Sequence, residues 1–96
     1  MKLKNFTELI NEFVAGATDE RVGNLKINGN LLIHYETTIA ERNDEKFIIN
    51  NTRYSLQTGR VQKLLKSSIP PELIQEVTKI PRGHRQSLHG FLTYTW

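Results

Sequence analysis

The chain has no cysteine, a single tryptophan, three prolines and no uninterrupted apolar stretch near the length of a membrane span. Without cysteine there are no disulfides and no thiolate zinc sites, which argues against a secreted, cross-linked scaffold. The opening MKLKNFTELINEF interleaves apolar residues with Asn and Glu, so it reads as neither a signal peptide nor an anchor. A cytoplasmic protein with no membrane partner is the expectation. Acids are scarce in the second half. Residues 53–96 hold seven Lys/Arg and two Asp/Glu, against six and eight in residues 1–52. The halves therefore carry formal charges of +5 and −2, an asymmetry that points to an anionic partner for the carboxy-terminal half or to complementary halves within one fold.

The marks of the common catalytic classes are also missing. His34, His84 and His89 share no metal-ligand spacing, so no metal or cofactor is expected. The serines at 55, 67, 68 and 87 form no nucleophile elbow, and Gly59 and Gly83 are isolated rather than part of a phosphate loop. Ninety-six residues make one domain, residues 1–96.

What is present is an ordered alternation of elements. Phe6, Leu9, Ile10, Phe13 and Val14 make one helical stripe, with Asn5 as its cap and Gly16 as its stop. Strands are predicted over 22–27, 30–41 and 46–54, with Asn28-Gly29 as a hairpin turn and residues 30–55 as the long hairpin at the centre of the fold. A helix over 58–67 capped by Thr58 follows, then a helix over 71–79 started by Pro71 and ended by Pro81. Residues 88–96 alternate as a last strand. The predicted fold is α+β: an antiparallel sheet of three to four strands, in the order α-β-β-β-α-α-β, with three helices packed on it.

Three functional readings follow from the residues. In the first, a non-enzymatic binder meets nucleic acid or a nucleoprotein through Arg53, Arg60, Lys63, Lys66, Arg82, His84 and Arg85, with Tyr54, Phe91, Tyr94 and Trp96 as stacking faces. If a protein groove is the target instead, the acids Glu36, Glu41, Asp44 and Glu45 would make the contact. In the second, a metal-independent nuclease uses His34, Arg53 and His84 for proton transfer and phosphate contact. In the third, residues 58–79 form a helix-turn-helix of a DNA-binding regulator. The polar run Tyr35, Thr37, Thr52, Tyr54, Ser55 and Thr58 fits either a partner surface or hairpin-stabilising pairs and helix caps.

Tyr35-x-Thr37-x-Ile39-Ala40, then Asn50-Asn51-Thr52-Arg53-Tyr54-Ser55-x-x-Thr58 with Gln62 beyond, resembles a pattern in small proteins of bacteriophages and mobile elements. The chain departs from it with His34 for Ser, Glu36 for Asn and Gln57 for Thr. The resemblance implies a phage setting. There, an anti-CRISPR-like inhibitor would occupy a host protein or protein–nucleic-acid complex, as a monomer or as a homodimer joined at the hairpin edge.

Overall fold

Asn5 and Gly16 bracket the first helix, α1 (Phe6–Ala15), in a computed structural model that describes residues 5–44 and 46–91. The Asn5 side chain accepts from the Glu8 amide at 2.8 Å, and Gly16 closes the helix at φ 113°, a backbone that glycine adopts without strain. Leu9, Ile10 and Phe13 of the apolar stripe are buried. Arg42 anchors the far end of α1. Its Nη1 donates to the carbonyls of Phe13 (2.6 Å) and Ala17 (3.1 Å), and its guanidinium lies 5.2 Å from the centre of the Phe13 ring.

Among the described residues the sheet has six strands in chain order, not three or four: β1 (Asp19–Val22), β2 (Leu25–Asn28), β3 (Leu31–His34), β4 (Thr37–Asn43), β5 (Lys46–Asn50) and β6 (Ile74–Val77). The first four pairings are antiparallel, and β5 with β6 is parallel. The expected strand over 22–27 is thus a hairpin folded at Gly23-Asn24, which explains why Val22, Leu25 and Ile27 do not alternate. The expected long strand over 30–41 is also two strands, folded at Tyr35-Glu36. The turn between β2 and β3 uses Gly29-Asn30 rather than Asn28-Gly29, because Asn28 pairs with Leu31. In each of these turns the first residue is left-handed: Gly23 at φ 57°, Gly29 at 65° and Tyr35 at 57°. Asp44, which opens the turn after β4, is at 50°.

A bulge in β4 shifts the register between Leu32 and Ile33, which face Ala40 and Thr38. Ile39, the extra residue, therefore joins Ala40 in the same core rather than pointing away from it. That core also holds Leu25, Ile27, Leu32, Phe47 and Ile49 from the sheet. The helices cover this one face, with α2 (Leu56–Ser68) supplying Val61 and Leu65. Each such fully buried aliphatic side chain contributes about 1.5–3 kcal/mol. The opposite face is covered by chain rather than helix: Ile48 packs with Val77, Ile80 and Leu88. Burial on both faces is why KFIIN is a continuous apolar run instead of an alternating one.

The carboxy-terminal third departs most from the prediction. α2 starts at Leu56 with Ser55 as its cap, since the Ser55 hydroxyl accepts from the Thr58 amide at 3.2 Å. The helix expected over 71–79 is a single 3-10 turn, Pro71–Leu73, running into β6. A free sheet edge beside β5 takes up Ile74–Val77, and that pairing overrides a helical stripe of Leu73, Ile74, Val77 and Ile80. The described chain thus has two α-helices rather than three, and 58–79 is no helix-turn-helix. His89–Phe91 is a 3-10 turn, not the start of a strand, and 92–96 lie outside the described residues. The hairpin strands β3, β4 and β5 are flanked on both sides, so among the described residues the free edges are β1 and β6. No helix among the described residues is long and apolar enough to cross a membrane.

Candidate functional site

A buried polar framework fixes the segment between β5 and α2. Asn50, fully buried, donates from Nδ2 to the Thr38 carbonyl (3.0 Å) and the Tyr54 hydroxyl (2.9 Å). Its Oδ1 accepts from the Thr52 amide at 2.9 Å. Gln62 reaches back from α2 to the carbonyls of Asn50 (2.6 Å) and Thr52 (2.9 Å). Tyr54 then donates to the Ile80 carbonyl (2.6 Å), while the Ile80 amide donates to Thr52 Oγ1 (3.0 Å). A second set of bonds lays residues 83–88 along β4. The Gly83 amide meets Thr37 Oγ1 (2.9 Å), the Thr38 amide meets the His84 carbonyl (2.7 Å), and Glu41 Oε1 accepts from Ser87 Oγ (2.7 Å) and the Leu88 amide (2.6 Å). Thr37, Thr52, Tyr54, Ser55 and Thr58 thus have structural bonds, as pairs and caps.

These two frameworks leave a cleft of about 450 Å³ between the β3–β4 turn, the start of α2 and the 82–83 loop. His34, Tyr35, Tyr54, Gln57, Thr58 and Arg82 are among its walls. His34 is 2% exposed, and its Nδ1 lies 3.0 Å from Thr58 Oγ1. Among the described residues Nε2 has no hydrogen-bond partner. The Tyr35 ring sits edge-on to His34 with centroids 4.5 Å apart, and its hydroxyl donates to Gln57 Oε1. A second groove, of about 380 Å³, adjoins the first across Tyr54 and Ser55; Arg53, Leu56, Arg60 and Lys63 line it. Leu56, at the first position of α2, is 85% exposed.

Burial lowers the His34 pKa below its ordinary value of 6.5, because the interior disfavours the imidazolium. Above pH 6.5 the ring is neutral in both folded and unfolded chains. Below it the unfolded chain takes up a proton that the folded chain refuses, so stability falls as the pH drops toward the folded pKa. Urea midpoints at pH 7.5 and 5.5 should show this loss, at most about 1.4 kcal/mol per pH unit from this group. His34→Gln should show a shallower fall, and an identical pH dependence in both proteins would refute the assignment.

The predicted cations fall into two sets. Arg53, Arg60 and Lys63 line the second groove and Arg82 lines the first, and none of the four has a polar partner among the described residues. Lys66 is instead held by Glu76 (2.7 Å) and Asn51 Oδ1 (2.8 Å), and Arg85 by Glu36 (3.0 Å). His84 contributes its Nε2 to the Ser87 carbonyl at 3.0 Å and its ring to Phe91, so it braces its own loop. The predicted acids do not gather. Glu36 and Asp44 lie beyond opposite ends of β4, Glu41 is buried beneath Ser87 and Leu88, and Glu45 lies outside the described residues. The three residues of the nuclease reading separate likewise, since His34 lines the first cleft, Arg53 the second groove and His84 neither. Tyr94 and Trp96, read as stacking faces, lie outside the described residues, and no group of metal-ligating side chains occurs among those described.

No protein-family model, curated protein or solved structure matches the chain. Gln57 and Leu56 are site residues outside the sequence-based set, since a helix that begins at Thr58 leaves both ahead of it, whereas α2 begins at Leu56. The signal is Ser55, a stronger cap whose hydroxyl stands three residues before the Thr58 amide it accepts from.

Proposed function

We propose that the protein is a non-enzymatic binder of nucleic-acid phosphates, contacting them along the grooves at the amino end of α2. One observation carries the reading: Arg53, Arg60, Lys63 and Arg82 line two adjoining grooves without a polar partner of their own among the described residues. Unpaired cations are free to displace counterions from a phosphate backbone. The helix itself strengthens the field, since residues 56–68 contain no acid and the positive end of its dipole lies at the junction of the grooves. Lys66 and Arg85 contribute less, being neutralised by Glu76 and Glu36. A role as an inhibitor of a host nucleic-acid-handling complex rests on the phage resemblance of residues 35–58 alone. Binding without cleavage is favoured because His34 is a buried, neutral partner of Thr58 and His84 is spent on its own loop.

Fluorescence anisotropy with a labelled 12-nucleotide strand, titrated at several salt concentrations, tests this. Affinity should fall steeply with salt. The double reversal Arg60→Glu/Lys63→Glu should weaken binding at least about tenfold and flatten the salt slope by roughly two. Unchanged affinity in that variant would rule the reading out, as would cleavage of the strand by the wild-type protein.

A further inference from the structure

The four tight turns of the meander assign their left-handed first position to Gly23, Gly29, Tyr35 and Asp44. Glycine holds this backbone freely and aspartate tolerates it, whereas an aromatic side chain there is strained. Within the hairpin the ring packs edge-on against His34, centroids 4.5 Å apart, a contact that needs an aromatic ring but no hydroxyl. The turn amide of Tyr35 bonds the Asn24 carbonyl at 2.8 Å, a contact that any residue with an N–H would make. The side chain is also no core element, being 46% exposed. What tyrosine adds is a ring standing at the mouth of the first cleft, steadied at its far end by Gln57. Strain kept at an exposed aromatic residue beside a cleft points to a use for that ring.

The cleft has the features of a site for a flat, polar heterocycle. Tyr35 and Tyr54 supply aromatic walls, and the volume of about 450 Å³ accommodates one base. Beneath Tyr35 the 98%-buried His34 has its Nε2 without a partner among the described residues, a hydrogen-bonding atom left over after Nδ1 has met Thr58. Glu36 at the rim is already paired with Arg85, so it does not oppose an anion there. Arg82 on one side and Arg53, Arg60 and Lys63 on the other flank this opening.

We propose that the first cleft receives one unpaired base of a single-stranded nucleic acid, stacked on Tyr35, while the flanking phosphates lie on Arg82 and on the Arg53–Arg60–Lys63 groove. The inference rests on the phosphate-binding reading and adds to it a preference for unpaired strands. A duplex keeps its bases stacked inside, where Tyr35 has no access to a face. Stacking on a protein aromatic is tolerant of sequence, so the preference is for single strands rather than for a particular base.

The test compares three labelled 12-mers: a single strand, the same strand with abasic sugars, and a duplex. The wild-type protein should bind the single strand about tenfold more tightly than the abasic strand or the duplex. Tyr35→Asn should lose that advantage and leave the other two affinities unchanged, while Tyr35→Phe should keep it. Asparagine suits the left-handed turn, so the melting temperature of Tyr35→Asn should equal or exceed that of wild type; a marked fall would assign the ring a structural role and overturn the proposal. Equal affinity for all three 12-mers would overturn the base site and leave phosphate binding standing. Failure to bind any of them would overturn both.

Discussion

Asn50→Ala should be the most damaging single substitution, lowering unfolding free energy by about 3–5 kcal/mol. Three partners lose their bond at once: the Thr38 carbonyl, the Tyr54 hydroxyl and the Thr52 amide. Asn50 is fully buried, so water does not readily replace it, and each group stranded in the interior costs about 1–3 kcal/mol. A loss of that size is a large share of the 5–15 kcal/mol that holds a typical domain. The damage should also be local in form. Residues 51–55 set where α2 begins, and Tyr54 ties them to Ile80, so the walls of both grooves shift together. Asn50→Asp keeps the acceptor for Thr52 but turns an oxygen toward the Thr38 carbonyl, and it should be destabilised as well. Urea unfolding followed by circular dichroism measures both. A loss under about 1 kcal/mol in Asn50→Ala would show that the network is dispensable.

Glu41→Ala should come next, at about 2–3 kcal/mol. Sequence reasoning placed Glu41 among acids for a protein partner, yet its side chain is buried and one oxygen serves both Ser87 and the Leu88 amide. Alanine would leave the Leu88 N–H buried with no acceptor, just where Leu88 enters the small core with Ile48, Val77 and Ile80. The carboxylate also makes charge-assisted bonds, so Glu41→Gln should recover about half of the loss by retaining one acceptor oxygen. Amide hydrogen exchange distinguishes this from a general weakening: Leu88 should exchange faster in Glu41→Ala while Leu32 and Ile49 keep most of their protection. Uniform acceleration across the sheet would contradict the account.

How far the sequence could be read depended on whether a residue's partners were near it in the chain. α1 was legible to its caps, because Asn5 acts on Glu8 within the first turn and Gly16 on Glu12 and Phe13 within the last. The apolar face of α2 was legible for the same reason. The strand count was not, because the decisive residues were turn residues with an unexpected identity. Tyr35 gives no turn signal in a run of alternating residues, and a continuous strand over 30–41 was the natural reading. β6 was missed for a different reason. Its helical spacing is genuine, and only the presence of an open edge beside β5 converts it to a strand. The site divides in the same way. The cations of the α2 face could be named from spacing, but which of them are already neutralised depends on Glu76 and Glu36, brought in from distant segments. The Asn-Thr-x-Tyr-Ser stretch that carries the resemblance is exposed to half-buried chain, held beside the grooves by the buried Asn50 and Gln62.

The sequential order of the strands has a kinetic consequence. Four of the five strand pairings join neighbours across two-residue turns, all within residues 19–50. Closing such short loops costs little chain entropy, so this meander should zip up early, with α1 already synthesised and available to cover it. β6 has to wait for a connection more than twenty residues long, and the 83–88 segment must return to β4 from farther still. Contacts made that late are largely absent from the transition state. Substitutions in β6 or at Leu88 should therefore speed unfolding with little effect on the folding rate, whereas those at the Gly23 and Gly29 turns should slow folding itself. On the ribosome, the amino-terminal half would be paired before the residues that line the cation groove have left the exit tunnel.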